Sequence, residues 1–202
     1  MMRGTSYSLV RLRSGPATGI LRLAAVLLLC STWGSPRVEP QARPAEYDVK
    51  AAYLLNFGKF IRVPANAPPR EHFDICVIGT DPMGRVLDSL AAGEQVESRP
   101  VRIRRITNAA DAATCDIAYL SASDSARIYS ELAALRSSDV LTVSDAPNFL
   151  EHGGMIQFVL VAQRVRFSVN LNAVHRTHLV LSSELLRVAL SVTGNAAAEV
   201  QR

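Results

Sequence analysis

Lysine is nearly missing from this chain: Lys50 and Lys59 are the only two, nine residues apart. No lysine closes a glycine-rich loop, which removes the Walker-type phosphate cradle. None follows a late strand either, where a phosphoacceptor receiver domain needs one. No serine sits in a G-x-S-x-G elbow, so the usual hydrolase nucleophile is absent. Gly79 and Gly84 stand five apart, not in the G-x-G-x-x-G of a dinucleotide loop, and read as a strand-to-helix turn. Long apolar runs are also lacking. The longest uncharged run, Leu23 to Pro36, has 14 residues, short of the roughly 20 of a spanning helix, which excludes a multi-pass membrane protein. Acid is absent from residues 1–35, which carry Arg3, Arg11, Arg13 and Arg22. The remaining 18 basic and 18 acidic residues cancel, so the net charge of +4 belongs to the N-terminal segment. A body without net charge lacks the attraction of a generic nucleic-acid binder. What is present suits one globular domain: 202 residues, 49% apolar and 20% charged.

The N-terminus has the layout of a secretory signal over residues 1–34: arginines, the apolar stretch Leu23 to Cys30, then small residues. Thr32-Trp33-Gly34 offers a cleavage context, and a second lies near Ala42. Lipid attachment at Cys30 is disfavoured by the bulky Leu29 before it. The alternative is a buried N-terminal helix, which the basic, acid-free flank fits less well. Residues 35–45, with three prolines, read as a disordered lead-in. Export leaves Cys76 and Cys115 as an even pair in an oxidising compartment. They form either one disulfide or two buried thiols. A bridge would enclose 38 residues, worth about 3–4 kcal/mol by loop-closure entropy.

Residues 46–194 alternate between helix and strand periodicities, and 195–202 read as a tail. Glu46 to Ile61 is expected to be a helix with Val49, Tyr53, Phe57, Phe60 and Ile61 on one stripe. Ala52, Leu54 and Leu55 widen the stripe enough to demand cover by a sheet or a partner. Phe73–Ile78, Ile117–Leu120 and Val140–Val143 read as buried strands. Asp81 is expected to cap a helix with Pro82 in its first position, ended by Gly93, and Ser123-Asp124 to cap another. Val101–Ile106 reads as a half-solvated edge strand. Its arginines 99, 102, 104 and 105, near Glu94, Glu97 and Asp111, read as edge protection rather than as a nucleic-acid or lipid site. Met155–Val161 and Arg164–Asn170 form an antiparallel hairpin around Ala162-Gln163. Neither turn residue favours a left-handed conformation, so the turn is expected to borrow strand residues. Asn172–Thr177 and a final helix capped by Ser182, burying Leu185, Leu186, Ala189 and Leu190, complete the chain. The sum is an α/β fold: a mostly parallel sheet flanked by helices, with an antiparallel C-terminal hairpin.

Ligands of open α/β sheets bind at the carboxyl ends of the strands. Thr80, Asp81, Ser121, Ser123, Ser144 and Asp145 gather there and form the candidate ligand crevice, although helix capping explains the same residues. His175 and His178 lack a third ligand, so no metal is expected, and no cofactor. Three functions stay open: a binding protein, an enzyme using the strand-end polar residues, and a small-molecule carrier.

Three stretches, in order, resemble the YfiR family of exported bacterial proteins. They are Ala51-Ala52-Tyr53-Leu54-Leu55-Asn56-Phe57-Gly58-Lys59-Phe60 with Pro64, then Gly153-Gly154-Met155-Ile156-Gln157-Phe158 with Arg164-Val165-Arg166-Phe167-Ser168-Val169-Asn170, and finally Ser182-Ser183-Glu184-Leu185-Leu186-Arg187-Val188-Ala189. The resemblance implies a periplasmic regulator, not an enzyme. Such a protein restrains an inner-membrane diguanylate cyclase, or a related sensor kinase, through its periplasmic part and so lowers cyclic di-GMP. It also implies the Cys76–Cys115 bridge; a second cysteine pair of some members, beside the Gly-Gly turn, is absent here. Tyr53 and Phe57 are the candidate partner anchors, and a homodimer is possible within this reading. The exported chain is expected to begin between about residues 31 and 46. N-terminal sequencing of the periplasmic fraction checks this; an intact Met1 or a lipid on Cys30 contradicts it.

Overall fold

The computed structural model describes residues 42–62, 69–121 and 125–194. The expected signal segment, most of the lead-in, Ser123 and the tail lie outside the described residues. The first helix, α1 (Ala42–Phe57), starts four residues before Glu46. Pro44 falls in its first turn, where the missing N–H has no intrahelical partner to lose. A 3₁₀ turn (Gly58–Phe60) leads to β1 (Ile61–Arg62).

The other elements are β2 (Phe73–Ile78), α2 (Gly84–Ala91), β3 (Gln95–Val96), β4 (Arg99–Ile106), a 3₁₀ turn (Ala109–Ala112) and β5 (Ile117–Leu120). They continue with α3 (Ser125–Leu135), β6 (Leu141–Ser144), β7 (Ile156–Val161), β8 (Arg164–Asn170), α4 (Leu171–Val174), β9 (Val180–Leu181), α5 (Ser183–Val188) and β10 (Ser191–Thr193). Eight strands form one sheet in the order β10-β8-β7-β6-β5-β2-β4-β3. β4, β2, β5, β6 and β7 run parallel, and β8 turns back antiparallel to β7. β1 and β9 pair separately and pin the end of α1 to the chain before α5. The expected mixed, mostly parallel sheet with a late hairpin is the observed fold.

Each sheet face has its own core. Phe73, Ile75 and Val77 of β2 face α1 and α2, together with Tyr119, Val143, Phe158 and Phe167. Cys76 and Ile78 point the opposite way, toward Ala112, Leu120, Ile128, Leu132 and Leu135. Cys76 and Cys115 are bonded, and both are fully buried. The bridge ties β2 to the turn before β5, inside the second core.

Three expectations need correction. Gly84 adopts φ +50°, so α2 begins there and Pro82 stays in the preceding turn. Asp81 still does cap-like work, since its carboxylate accepts the Met83 and Gly84 amides at 2.9 Å. The last helix stops at Val188, and Leu190 is 52% exposed. Its amide instead bonds Phe167 O at 2.8 Å and starts β10, a strand added parallel to β8. The β7–β8 turn borrows no strand residue: Val161 pairs Arg164, and Ala162 and Gln163 take φ of +47° and +59°. The register that stacks Phe158 opposite Phe167 in the core overrides the local preference of these two residues. Over the expected span, Val101–Ile106, β4 is the sheet edge; β3 pairs only with Arg99 and Pro100 before it.

Close approach explains the Gly153-Gly154 pair. Gly153 has φ +98°, and a Cβ on Gly154 would lie 2.2 Å from the Phe149 ring. Any side chain there would displace a core aromatic.

The β7–β8 turn carries two left-handed non-glycine residues, a conformation costing about 1–2 kcal/mol each. Replacing them by the pair suited to this turn, Ala162→Asn with Gln163→Gly, should raise stability by about 1 kcal/mol or more. Urea unfolding checks this; an unchanged or lower midpoint contradicts the strain.

Candidate functional site

β2 lies between β4 and β5, and the chain reaches β4 first and then crosses to β5. The diverging carboxyl ends of these strands leave a crevice of about 320 Å³. Its polar lining comes from Thr80 after β2, Thr107 after β4, Ser121 after β5, and Arg127 and Glu131 of α3; Ile78, Leu120 and Ile128 form its apolar wall. Arg127 spans the opening: it donates Nε to Glu131 Oε1 at 2.6 Å and Nη2 to the Thr107 carbonyl. The second Glu131 oxygen is buried without a hydrogen-bond partner among the described residues.

Two of the six expected crevice residues, Thr80 and Ser121, meet here. The others are placed elsewhere by structural duties. Asp81 Oδ2 accepts Arg105 Nε at 2.8 Å besides bonding its own turn. Ser144 is fully buried; its hydroxyl donates to Leu120 O at 2.6 Å and accepts from the Ala146 amide at 3.1 Å. Asp145 is held by Lys50, and Ser123 lies outside the described residues. Among the described residues neither Thr80 nor Ser121 hydrogen-bonds a histidine or carboxylate, so no activated nucleophile is assembled there.

Lys50 is what the sequence reading missed. It is 3% exposed, in the middle of α1, and its Nζ bridges Glu46 Oε1 at 2.5 Å and Asp145 Oδ2 at 2.6 Å. The ammonium also sits 4.4 Å from the Tyr47 ring centre. Burial alone would lower the Lys50 pKa, but its hydrogen bonds to Asp145 and Glu46 outweigh this and hold it above the usual lysine value. Burial and the neighbouring Asp145 charge push the Tyr119 hydroxyl well above the usual phenol value, so it stays neutral. Tyr119 Oη and Asp145 Oδ1 make no hydrogen bond of good geometry. Leu54, Leu55 and Phe57 of the expected face are buried, but with Lys50 and Ala51 inward its first residue, Val49, is 44% exposed.

Phe57 is 1% exposed and belongs to the core. Its ring lies 5.8 Å from Phe158 and 5.1 Å from Phe167, and Tyr53 joins at 6.0, 6.1 and 5.6 Å from Phe57, Phe158 and Phe167. Of the two expected anchors, only the half-buried Tyr53 keeps surface to offer. Two of the histidines make contacts within the fold: His178 bonds Asp139 through its amide at 2.8 Å, and His152 stacks on Tyr129 at 3.7 Å. No group of three metal-ligating side chains occurs among the described residues. Nor, among them, is any helix long and apolar enough to cross a membrane.

Residues 47–190 match the YfiR/HmsC-like family model, DUF4154. No curated protein matches the sequence. Among solved structures, a conserved domain protein from Vibrio cholerae O1 biovar El Tor is similar at 13% identity and a TM-score of 0.44. The likeness covers 60% of this chain and 55% of that one.

The Lys50 cluster is open to a direct test. Lys50→Met strands the buried Asp145 carboxylate and should cost about 3–5 kcal/mol, whereas adding Asp145→Leu should restore most of the loss. Because the folded pKa of Lys50 is raised, its contribution is complete below the ordinary value of 10.5 and fades only as pH climbs past it. Denaturant titrations of the single and double variants near pH 7 and above pH 10 check both statements.

Proposed function

We propose, from the premise that the chain belongs to the YfiR/HmsC-like family, that it is a periplasmic regulator of cyclic di-GMP signalling. In this reading it restrains an inner-membrane diguanylate cyclase, or a related sensor kinase, by binding its periplasmic part. The observation that carries the reading is the family match across nearly the whole described domain. The three motifs seen in the sequence converge in space: Tyr53 and Phe57 of the first stack on Phe158 and Phe167 of the second, and Leu185 of the third lies in the same core. The motifs therefore mark one packed unit, not a catalytic site. Asp81, Ser144 and Asp145, the groups an enzyme of this architecture would use, are occupied by turn, strand and helix contacts.

Binding then works through surface complementarity. Tyr53 and Val49, four residues apart on α1 and neighbours on its surface, are the proposed contact. Val49 is exposed, so changing it leaves the core intact. A second reading, a small-molecule-responsive protein, is favoured by the crevice between Thr80 and Ser121.

Deleting the gene should raise cellular cyclic di-GMP, and an exported copy should lower it again. Val49→Glu should weaken that repression while leaving the melting temperature within a degree or two, whereas Thr80→Ala, Ser121→Ala and His175→Ala should leave repression within a few-fold. Cyclic di-GMP quantified by mass spectrometry is the readout. Unchanged levels on deletion would overturn the reading, and turnover of a substrate abolished by one strand-end substitution would replace it with an enzyme.

A further inference from the structure

The arginines of β4 divide between the two faces of the sheet, and the acids are shared unequally. Arg105 meets two carboxylates, Asp81 at 2.8 Å and Asp88 at 3.0 Å. Arg102 and Arg104 of the opposite face, with Arg70 and Arg99 at the start of the sheet, share two buried aspartates. Asp74 takes Arg102 through two hydrogen bonds of 2.7 and 2.8 Å, with Arg104 at 3.6 Å. Asp116 takes Arg99 at 2.9 Å, with Arg70 at 3.6 Å, and its other oxygen accepts the Asp74 amide at 2.8 Å. The near carboxylate oxygens of Arg104 and Arg70 thus already accept from another donor. Both guanidinium groups turn instead to one neutral residue: Arg70 Nη1 bonds the Thr114 carbonyl at 2.9 Å, and Arg104 Nη1 bonds its hydroxyl at 3.1 Å.

Two guanidinium groups brought together on one threonine repel each other, and the aspartates at 3.6 Å offset only part of that repulsion, so an anion between them would be favourable. The place is concave: Arg70, Arg102, Arg104, Asp74 and Thr114 line an open groove of about 670 Å³. Glu71 also lines it but is solvent-exposed. The groove is separate from the strand-end crevice and from α1. Guanidinium groups match the oxygens of phosphate in paired hydrogen bonds, and a phosphate has enough oxygens to serve both heads at once.

We infer that this groove is an oxyanion site, taking phosphate or a phosphomonoester between Arg70 and Arg104. Arg102 and Arg99 take the shorter contacts to the aspartates, so Arg70 and Arg104 are the less fully compensated pair. The neighbouring disulfide helps fix the site, since Arg104 Nη1 lies 3.7 Å from Cys115 Sγ.

The test is thermal unfolding of the full-length exported protein with increasing inorganic phosphate, against sodium chloride of equal ionic strength. Phosphate should raise the melting temperature saturably. Arg104→Gln and Arg70→Gln should each weaken that response by about tenfold or more, the scale of one lost charged hydrogen bond. In phosphate-free, low-salt buffer the same variants should melt within a few degrees of the wild type, since each loses a 3.6 Å ion pair but also relieves repulsion. Arg164→Gln, on an exposed hairpin position, should change nothing. No phosphate response in the wild type, or a response in both groove variants equal to that of the wild type, would overturn the site. So would binding confined to phosphatidylglycerol vesicles, which would assign the arginines to a lipid surface.

Discussion

The docking of α1 on one sheet face is the contact on which the rest depends. It joins two kinds of interaction in one helix. Phe57 inserts between Phe158 and Phe167, so the helix and the β7–β8 hairpin bury each other. Seven residues earlier Lys50 reaches Asp145, just after β6. The aromatic contacts supply apolar burial, which is non-directional and would tolerate some rotation of the helix. The ion pair is directional. A buried lysine without its carboxylates is costly, so only a narrow range of helix rotations is compatible with the fold. That selects Ala51, Leu54 and Leu55 for the core and leaves Val49 outside.

Most of the fold was legible because its signals are local. Phe73–Ile78, Ile117–Leu120 and Arg164–Asn170 fold as strands over the spans their patterns predict. Ser182 caps its helix through the Leu185 amide, as the sequence requires. What stayed hidden depends on partners far along the chain. Lys50 and Asp145 are 95 residues apart, and a lysine within a helical pattern reads as solvent-facing unless its acids are known. The arginines of β4 likewise suggested Glu94, Glu97 and Asp111 as partners, by proximity in sequence. The sheet instead places Asp74 opposite Arg102 in register, while Glu94 and Glu97 pair with Lys59 and Arg62. The left-handed Ala162 and Gln163 could not be foreseen either, since the register of the flanking strands sets their geometry.

The candidate site was legible in location more than in membership. The rule that ligands gather at strand ends found the crevice between β2 and β5, with Thr80 and Ser121 in its wall. It could not separate residues facing the opening from those consumed by the fold. Asp81, Ser144 and Asp145 each satisfy backbone or side-chain partners that would otherwise be buried unpaired. Arg127 and Glu131, four residues apart on α3, signalled only a helical ion pair, yet they line the crevice.

Polar groups left over after such accounting are the informative ones, because a fold gains nothing from keeping them. At the strand ends the surplus is small: one Glu131 oxygen beside an Arg127 already engaged. At the groove beneath β4 it amounts to one positive charge, from four arginines over Asp74, Asp116 and the exposed Glu71. Burial tends to raise the Asp74 pKa, but hydrogen bonds and charge from Arg102, with Arg104 and His72, hold it below the usual carboxylate value. Asp74 therefore stays ionised through neutral pH, and the surplus does not vanish by titration of the partner acid. A charge imbalance that persists, lies open to solvent and is braced by a disulfide has the attributes of a recognition surface. Edge protection, the simpler account of a basic strand, needs charge on the edge but not two guanidinium groups held together on one threonine.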